Sequence, residues 1–192
     1  ACTECSENTY YNGDAPYTTS SCTSCPDFST SPKASGSISD CECDSGYTRQ
    51  DNTCSLCPVN YYCPNENTVT ACTTGSASPE GSTSATACVC VPGFYGAPDS
   101  CTLCPVNSYC SGGTHIQSCP DHSTTLTLAG QTNASACVCD AGHYFIDGAC
   151  NECPADTYCA NQVKIQCPPN SSAVAGQDSI AQCFCDEYFT KD

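Results

Sequence analysis

Cysteine recurs in this chain in a fixed order. Cys57-Pro58-Val59-Asn60-Tyr61-Tyr62-Cys63 is followed by Cys72, by the close pair Cys88 and Cys90, and by Cys101. The same phrase returns from Cys104 to Cys150, and most of it from Cys153 to Cys185. Started at Cys2, Cys54, Cys101 and Cys150, the copies have periods of 52, 47 and 49 residues, with six cysteines in each. Self-similarity at such a period marks one small unit strung in a row, so fold and function both follow from what that unit can do.

The unit cannot be held by an ordinary core. Leu, Ile, Val and Phe together number 22 of 192 residues, and the net charge is −16. Such a balance predicts disorder when cysteine is scarce. Here 24 cysteines reverse that expectation. Each disulfide contributes roughly 2–4 kcal/mol, largely by restricting the unfolded chain, and small scaffolds use bridges in place of a core. That density belongs to oxidising compartments, so an extracellular, secreted or cell-surface location is expected. The chain opens on Ala1 with no signal peptide, and is expected to be a processed chain or a piece of a longer one.

Four Lys and Arg stand against twenty Asp and Glu. A nucleic acid or anionic membrane partner needs a basic patch, and neither is expected. No stretch approaches the length of apolar residues that spans a bilayer, so no membrane insertion is expected within this chain.

Framed on the close pairs, the modules begin at Cys5, Cys57, Cys104 and Cys153. The second has intervals of 5, 8, 15, 1 and 10 residues and the third 5, 8, 17, 1 and 10; the first departs, with 16, 2, 15, 1 and 10. The predicted domains are 1–54, with an atypical first loop, then 55–101, 102–150 and 151–192, the last lacking its sixth cysteine. Gly46, Gly93 and Gly142 follow the first three C-x-C pairs, where a positive φ lets the chain reverse, while in the fourth module Glu187 stands in the stretch where that Gly would fall, and a different turn is expected. Tyr47, Phe94 and Tyr144 beside them are expected to cover the disulfides. Thr, Val and Tyr near the pairs favour strands of two or three residues. Only Ser55-Leu56, Thr102-Leu103 and Asn151-Glu152 separate successive modules. Two residues leave little room for tumbling, so the expected fold is small, disulfide-rich, mostly β-hairpins and loops, with four modules forming a stiff, elongated rod.

The intervals, closing on C-x-C-x-x-Gly-aromatic, resemble an EGF-like module. The phrase Cys-Pro-x-x-x-Tyr, then Cys-Pro-x-x-Ser, then Cys-x-Cys-x-x-Gly-Tyr is more similar still to the ephrin-receptor-type cysteine-rich repeat, itself akin to tumour-necrosis-factor-receptor repeats. The likeness covers nearly the whole chain and speaks to architecture more than to function. The EGF-like resemblance implies first-to-third, second-to-fourth and fifth-to-sixth pairing. Carried over, it implies Cys5–Cys25, Cys22–Cys41 and Cys43–Cys54; Cys57–Cys72, Cys63–Cys88 and Cys90–Cys101; Cys104–Cys119, Cys110–Cys137 and Cys139–Cys150; and Cys153–Cys167 with Cys159–Cys183. Spacing alone leaves fifteen connectivities open for six cysteines.

In that frame Cys2 is a sixth cysteine without a fifth, and Cys185 a fifth without a sixth. Joining one chain's end to the next chain's start would put eight residues between them, where the other copies have ten. Three readings stand: a window on a longer array, a head-to-tail contact between subunits, or a local rearrangement. A heterologous contact that does not close builds a filament.

Little chemistry is on offer. The histidines are His115, His122 and His143. Asp121-His122-Ser123 resembles a triad only in sequence order, which is not geometry. No catalytic residue, cofactor or metal is expected. The C-x-x-C pairs Cys2/Cys5, Cys54/Cys57, Cys101/Cys104 and Cys150/Cys153 admit a zinc or redox reading, but they fall at module edges, where disulfides are the expectation. The acidic cluster that precedes the first cysteine of calcium-binding EGF modules has no counterpart here. Asn133-Ala134-Ser135 and Asn170-Ser171-Ser172 are sequons in exposed loops and are expected to carry N-linked glycans. The 24 Ser and 22 Thr offer further sites for O-linked sugars.

The function expected is that of a stiff extracellular structural protein, assembling with its own kind or with neighbouring modules into a filament, appendage or surface coat. The alternative is the stalk or ligand-binding ectodomain of a receptor.

Overall fold

The structure, a computed structural model, describes residues 4–13 and 21–187. Among these there is no α-helix, and the strands form antiparallel pairs with no larger sheet. The chain divides into two compact units, Ala1–Val91 with Gly96–Cys101, and Pro92–Tyr95 with Thr102–Asp192.

In the first unit Thr9–Tyr11 pairs with Cys22–Ser24, Ser29–Thr30 with Glu42–Cys43, and Tyr47–Gln50 with Thr53–Leu56. Tyr61–Asn65 then pairs with Thr68–Ala71, and Ser76–Ala77 with Val89–Cys90. Phe94–Ala97 and Ser100–Leu103 form the next hairpin. The second unit repeats the order. Ser108–Tyr109 pairs with Gln117–Ser118, Ser123–Thr124 with Val138–Cys139, and His143–Ile146 with Ala149–Glu152. Thr157–Ala160 with Val163–Gln166 and Ser171–Ser172 with Phe184–Cys185 follow.

One local turn recurs ahead of these strands. Three residues after the first, third and fifth cysteine of the first three modules, and after the first and third of the fourth, stands a residue with positive φ: Asn8, Phe28 and Gly46; Asn60, Gly75 and Gly93; Asn107, His122 and Gly142; Asp156 and Asn170. Asn, Asp, His and Gly reach this region most readily. A positive φ at the third turn position is the type II signature, and the closing bond is present, for example from the N–H of Tyr61 to the Pro58 carbonyl at 3.2 Å. The hydroxyl residue that recurs one position later locks the same carbonyl: Ser29 Oγ donates to Pro26, Ser76 to Thr73, Ser123 to Pro120, and Ser171 to Pro168. The sequence repeat of about 50 residues is thus built from a finer one, a Cys-x-x-turn used three times in each of the first three modules and, among the described residues, twice in the fourth.

These turns set the disulfides. The structure pairs first with second, third with fourth and fifth with sixth cysteine, and the EGF-like pairing is corrected accordingly. Cys5–Cys22 and Cys25–Cys41 replace Cys5–Cys25 and Cys22–Cys41. Cys57–Cys63 and Cys72–Cys88 replace Cys57–Cys72 and Cys63–Cys88. Cys104–Cys110 and Cys119–Cys137 replace Cys104–Cys119 and Cys110–Cys137. Cys153–Cys159 and Cys167–Cys183 replace Cys153–Cys167 and Cys159–Cys183. The fifth-to-sixth bridges Cys43–Cys54, Cys90–Cys101 and Cys139–Cys150 are common to both schemes. The reason is local: the reversal at Asn60 returns the chain within seven residues, leaving the Cα atoms of Cys57 and Cys63 5.8 Å apart, within bridging range.

The bridges are also the core. Among the described residues the buried apolar side chains are sixteen cysteines and Ala173. Tyr47, expected to cover a disulfide, is half-buried and stacks on Phe28, with ring centroids 4.5 Å apart. A single 3-10 turn precedes the C-x-C pair in every module: Ile38–Asp40, Ala85–Ala87, Ala134–Ala136 and Ile180–Gln182. Polar caps set it in place; Asn133 accepts from the Ser135 N–H and Ser179 from the Ala181 N–H.

Candidate functional site at the module junctions

The residues between modules are not linkers. Ser55-Leu56, Thr102-Leu103 and Asn151-Glu152 lie inside the strands Thr53–Leu56, Ser100–Leu103 and Ala149–Glu152. In the hairpins before the second and fourth modules, Tyr47 pairs with Leu56 and His143 with Glu152. The last hairpin of one module therefore runs directly into the first turn of the next.

The glycine after each of the first three C-x-C pairs is the docking point. In the first unit the Gly46 N–H donates to the Cys63 carbonyl at 2.9 Å, and the Gly46 carbonyl accepts from the Cys57 N–H at 2.8 Å. The Cys57 carbonyl in turn accepts from the Gly81 N–H at 2.8 Å. A Cβ on Gly46 would stand 2.7 Å from the Gly81 carbonyl oxygen. Turn geometry favours Gly there because φ is +89°, and the approach of the next module's backbone requires it. Leu56 covers the far side of Gly81, 3.0 Å from its Cβ position.

The second unit contains the same arrangement at Gly93 and most of it at Gly142. Gly93 donates to Cys110 at 2.9 Å, accepts from Cys104 at 2.9 Å, and the Cys104 carbonyl accepts from Gly130 at 2.7 Å. Gly142 accepts from Cys153 at 2.8 Å, and Cys153 from Gly176 at 2.8 Å. Leu103 and Glu152 cover Gly130 and Gly176. Backbone groups that would be orphaned at the edge of one module are satisfied by the next.

A side chain adds a clasp that the sequence alone does not reveal. Glu66, three residues after Cys63, reaches back to the preceding module. Its Oε2 accepts from the Cys43 N–H at 2.6 Å and from Arg49 Nη2 at 2.9 Å. Arg49 also donates to the Cys41 carbonyl, and Thr48 Oγ1 to the Glu66 carbonyl at 3.3 Å. Gln162 holds the equivalent place in the second unit. Its Oε1 accepts from the Cys139 N–H at 3.1 Å and its carbonyl from the Phe145 N–H at 3.1 Å, while Lys164 Nζ sits 5.3 Å from the Tyr144 ring centroid. Gly113 occupies this place in the third module and has no side chain to offer. The only hint in the sequence is a polar residue at one hairpin tip, and its partner is a backbone N–H 23 residues away.

The remaining predicted residues sort plainly. Each described member of a C-x-x-C pair is bridged to a cysteine outside its own pair, as with Cys54 to Cys43 and Cys57 to Cys63, so the described members present no thiolates for zinc or redox chemistry. Cys185 carries a free, half-buried thiol in register with Ser171. Cys2 lies outside the described residues. Ser123 is committed to its turn and His122 stacks on His143, so Asp121, His122 and Ser123 are not assembled as a triad. Asn133 and Asn170 are both exposed, the first capping a 3-10 turn and the second at a left-handed turn position. Among the described residues no helix is long and apolar enough to cross a membrane.

No protein-family model matches the chain, and no curated protein matches it. What the sequence and structure establish is a disulfide-rich, strand-and-hairpin protein of repeated six-cysteine units.

Proposed function

We propose that this is an extracellular structural repeat protein: a stiff, glycosylated, disulfide-stapled array that assembles into a filament, appendage or surface coat. The observation that carries this reading is the junction, where Gly46, Gly93 and Gly142 each give their carbonyl to the first cysteine of the next module. A protein whose inter-module contacts are as bonded as its interiors is suited to bear and transmit load. The cysteine spacing keeps its resemblance to ephrin-receptor-type repeats, while the first-to-second pairing departs from what an EGF-like module implies. The reading includes no catalysis and no cofactor, with its own kind or neighbouring modules as partners and sugars at Asn133 and Asn170.

Assembly would run through the fourth module, whose Cys185 stands where the other modules bridge to a cysteine 11 residues on. In this reading Cys185 takes its sixth-position partner from a neighbouring module, with Cys2 of a second copy as the candidate. Electron microscopy of native material, with disulfide mapping under non-reducing conditions, tests it. Filaments or coats containing a Cys2–Cys185 peptide are the expected result. Dispersed short monomers at every concentration would overturn the assembly.

One feature favours a second reading, the ligand-binding ectodomain. The third module's two extra residues place Leu126 and Thr127 at positive φ, and with Val106, Asn107 and Thr124 they line an apolar groove of about 470 Å³. Strain at a groove confined to one module is where a ligand would be sought. Loss of binding to a candidate ligand on deleting residues 126–127, with unchanged assembly, would support that reading.

A further inference from the structure

We propose that residues 111–118 of the third module are a proteolytic processing site, at which an endoprotease of low sequence demand divides the chain. The order of the bridges decides where a cut can matter. They follow one another without overlap, so a cut inside a loop such as Cys5–Cys22 or Cys119–Cys137 leaves its pieces covalently joined. Between the second and third cysteine of a module no described bridge crosses the chain. In the first module that gap is only Thr23 and Ser24. In the others it is residues 64–71, 111–118 and 160–166, each carried on a hairpin.

The middle gap is the least secured of the three. Tyr61–Asn65 pairs with Thr68–Ala71 and Thr157–Ala160 with Val163–Gln166, whereas Ser108–Tyr109 and Gln117–Ser118 meet at two residue pairs only. A two-stranded hairpin is marginal by itself, and a shorter ladder opens at lower cost. Glu66 ties the second module's hairpin to Cys43 and Arg49, and Gln162 ties the fourth module's to Cys139 and Phe145. Gly113 stands at the matching place with nothing within 4 Å of its Cβ position. Among the described residues none forms a hydrogen bond with residues 111–116.

Side-chain preference does not separate the three gaps. Each offers a protease pocket an exposed β-branched residue: Val69, Ile116, and Val163 with Ile165, all between 37% and 57% exposed. Backbone access does separate them. A protease acts on the opened segment, so cleavage follows the population in which the hairpin has come apart. The tip Ser111-Gly112-Gly113-Thr114 has the small and polar composition at which exposed loops are nicked. Hydrolysis of one peptide bond there, with water as co-reactant, leaves a new carboxylate on one piece and a new amine on the other. The first piece keeps the bridges through Cys104–Cys110, and the second begins with Cys119–Cys137. This division does not depend on how the chain assembles.

Limited digestion of the full, oxidised chain with subtilisin tests the site, resolved by non-reducing denaturing electrophoresis and mass spectrometry. The first pieces to separate are expected to have their new ends within 111–118. Separation at 64–71 or 160–166 should be about tenfold slower, the effect of one or two additional hydrogen bonds. Glu66→Ala removes the second module's clasp and should speed cleavage within 64–71 by a similar factor, leaving that within 111–118 unchanged. Earlier or equal separation at 64–71 or 160–166 in the native chain would overturn the proposal. So would a chain that separates at none of the three, or an unchanged rate at 64–71 in Glu66→Ala.

Discussion

The carbonyl oxygen of Gly81 lies 2.7 Å from the point where a Cβ on Gly46 would stand. One module thus packs its backbone into the space that the absent side chain of another leaves. Gly46→Ala meets that oxygen and also forces an L residue to a φ of +89°. A loss of about 2–4 kcal/mol is expected, combining the left-handed cost with overpacking. Gly148, at +83° with nothing within 4 Å of its Cβ position, is the control, and Gly148→Ala should cost only about 1–2 kcal/mol. Thermal unfolding with disulfides intact compares the two. Equal losses would mean that turn strain, not docking, makes Gly46 necessary.

Glu66 and Gln162 perform one task with different charge. Glu66→Ala leaves the Cys43 N–H without its acceptor and Arg49 without its carboxylate, a loss of about 1–3 kcal/mol. Glu66→Gln keeps the acceptor, as Gln162 does natively, and should cost less than about 1 kcal/mol, because Arg49 is partly exposed. Exchange of the Cys43 amide reads the difference. Fast exchange in both variants would show that the ion pair, not the backbone bond, forms the clasp.

Proteolysis at acid pH followed by mass mapping should recover Cys57–Cys63, Cys104–Cys110 and Cys153–Cys159 as small intramodular loops. A Cys57–Cys72 or Cys104–Cys119 peptide would restore the EGF-like pairing. Full reduction should abolish the fold, since the buried apolar set among the described residues is cysteine apart from Ala173. Retained chemical-shift dispersion in the reduced chain would contradict that account.

Glycans at Asn133 and Asn170 would sit on exposed turns without displacing packed groups. Enzymatic deglycosylation of native material should remove two glycans, and only one from an Asn133→Gln variant. Unmodified Asn133 and Asn170 peptides from the native source would remove glycosylation from the proposed function.

The sequence by itself determined the repeat, the absence of an apolar core, the hairpin-and-turn character and the glycine after the first three C-x-C pairs. All of these follow from residue type and spacing within a few positions. It could not decide the pairing of Cys57, because several cysteines lie within reach along the chain and only the reversal at Asn60 selects Cys63. Nor could it show that Ser55 and Leu56 are strand instead of linker, which depends on partners at Thr48 and Tyr47. The Glu66 clasp and the His122–His143 stack join residues 17–23 positions apart along the chain. Tertiary structure decided these, because a hydrogen bond or ring contact depends on distances in space that a one-dimensional pattern does not carry.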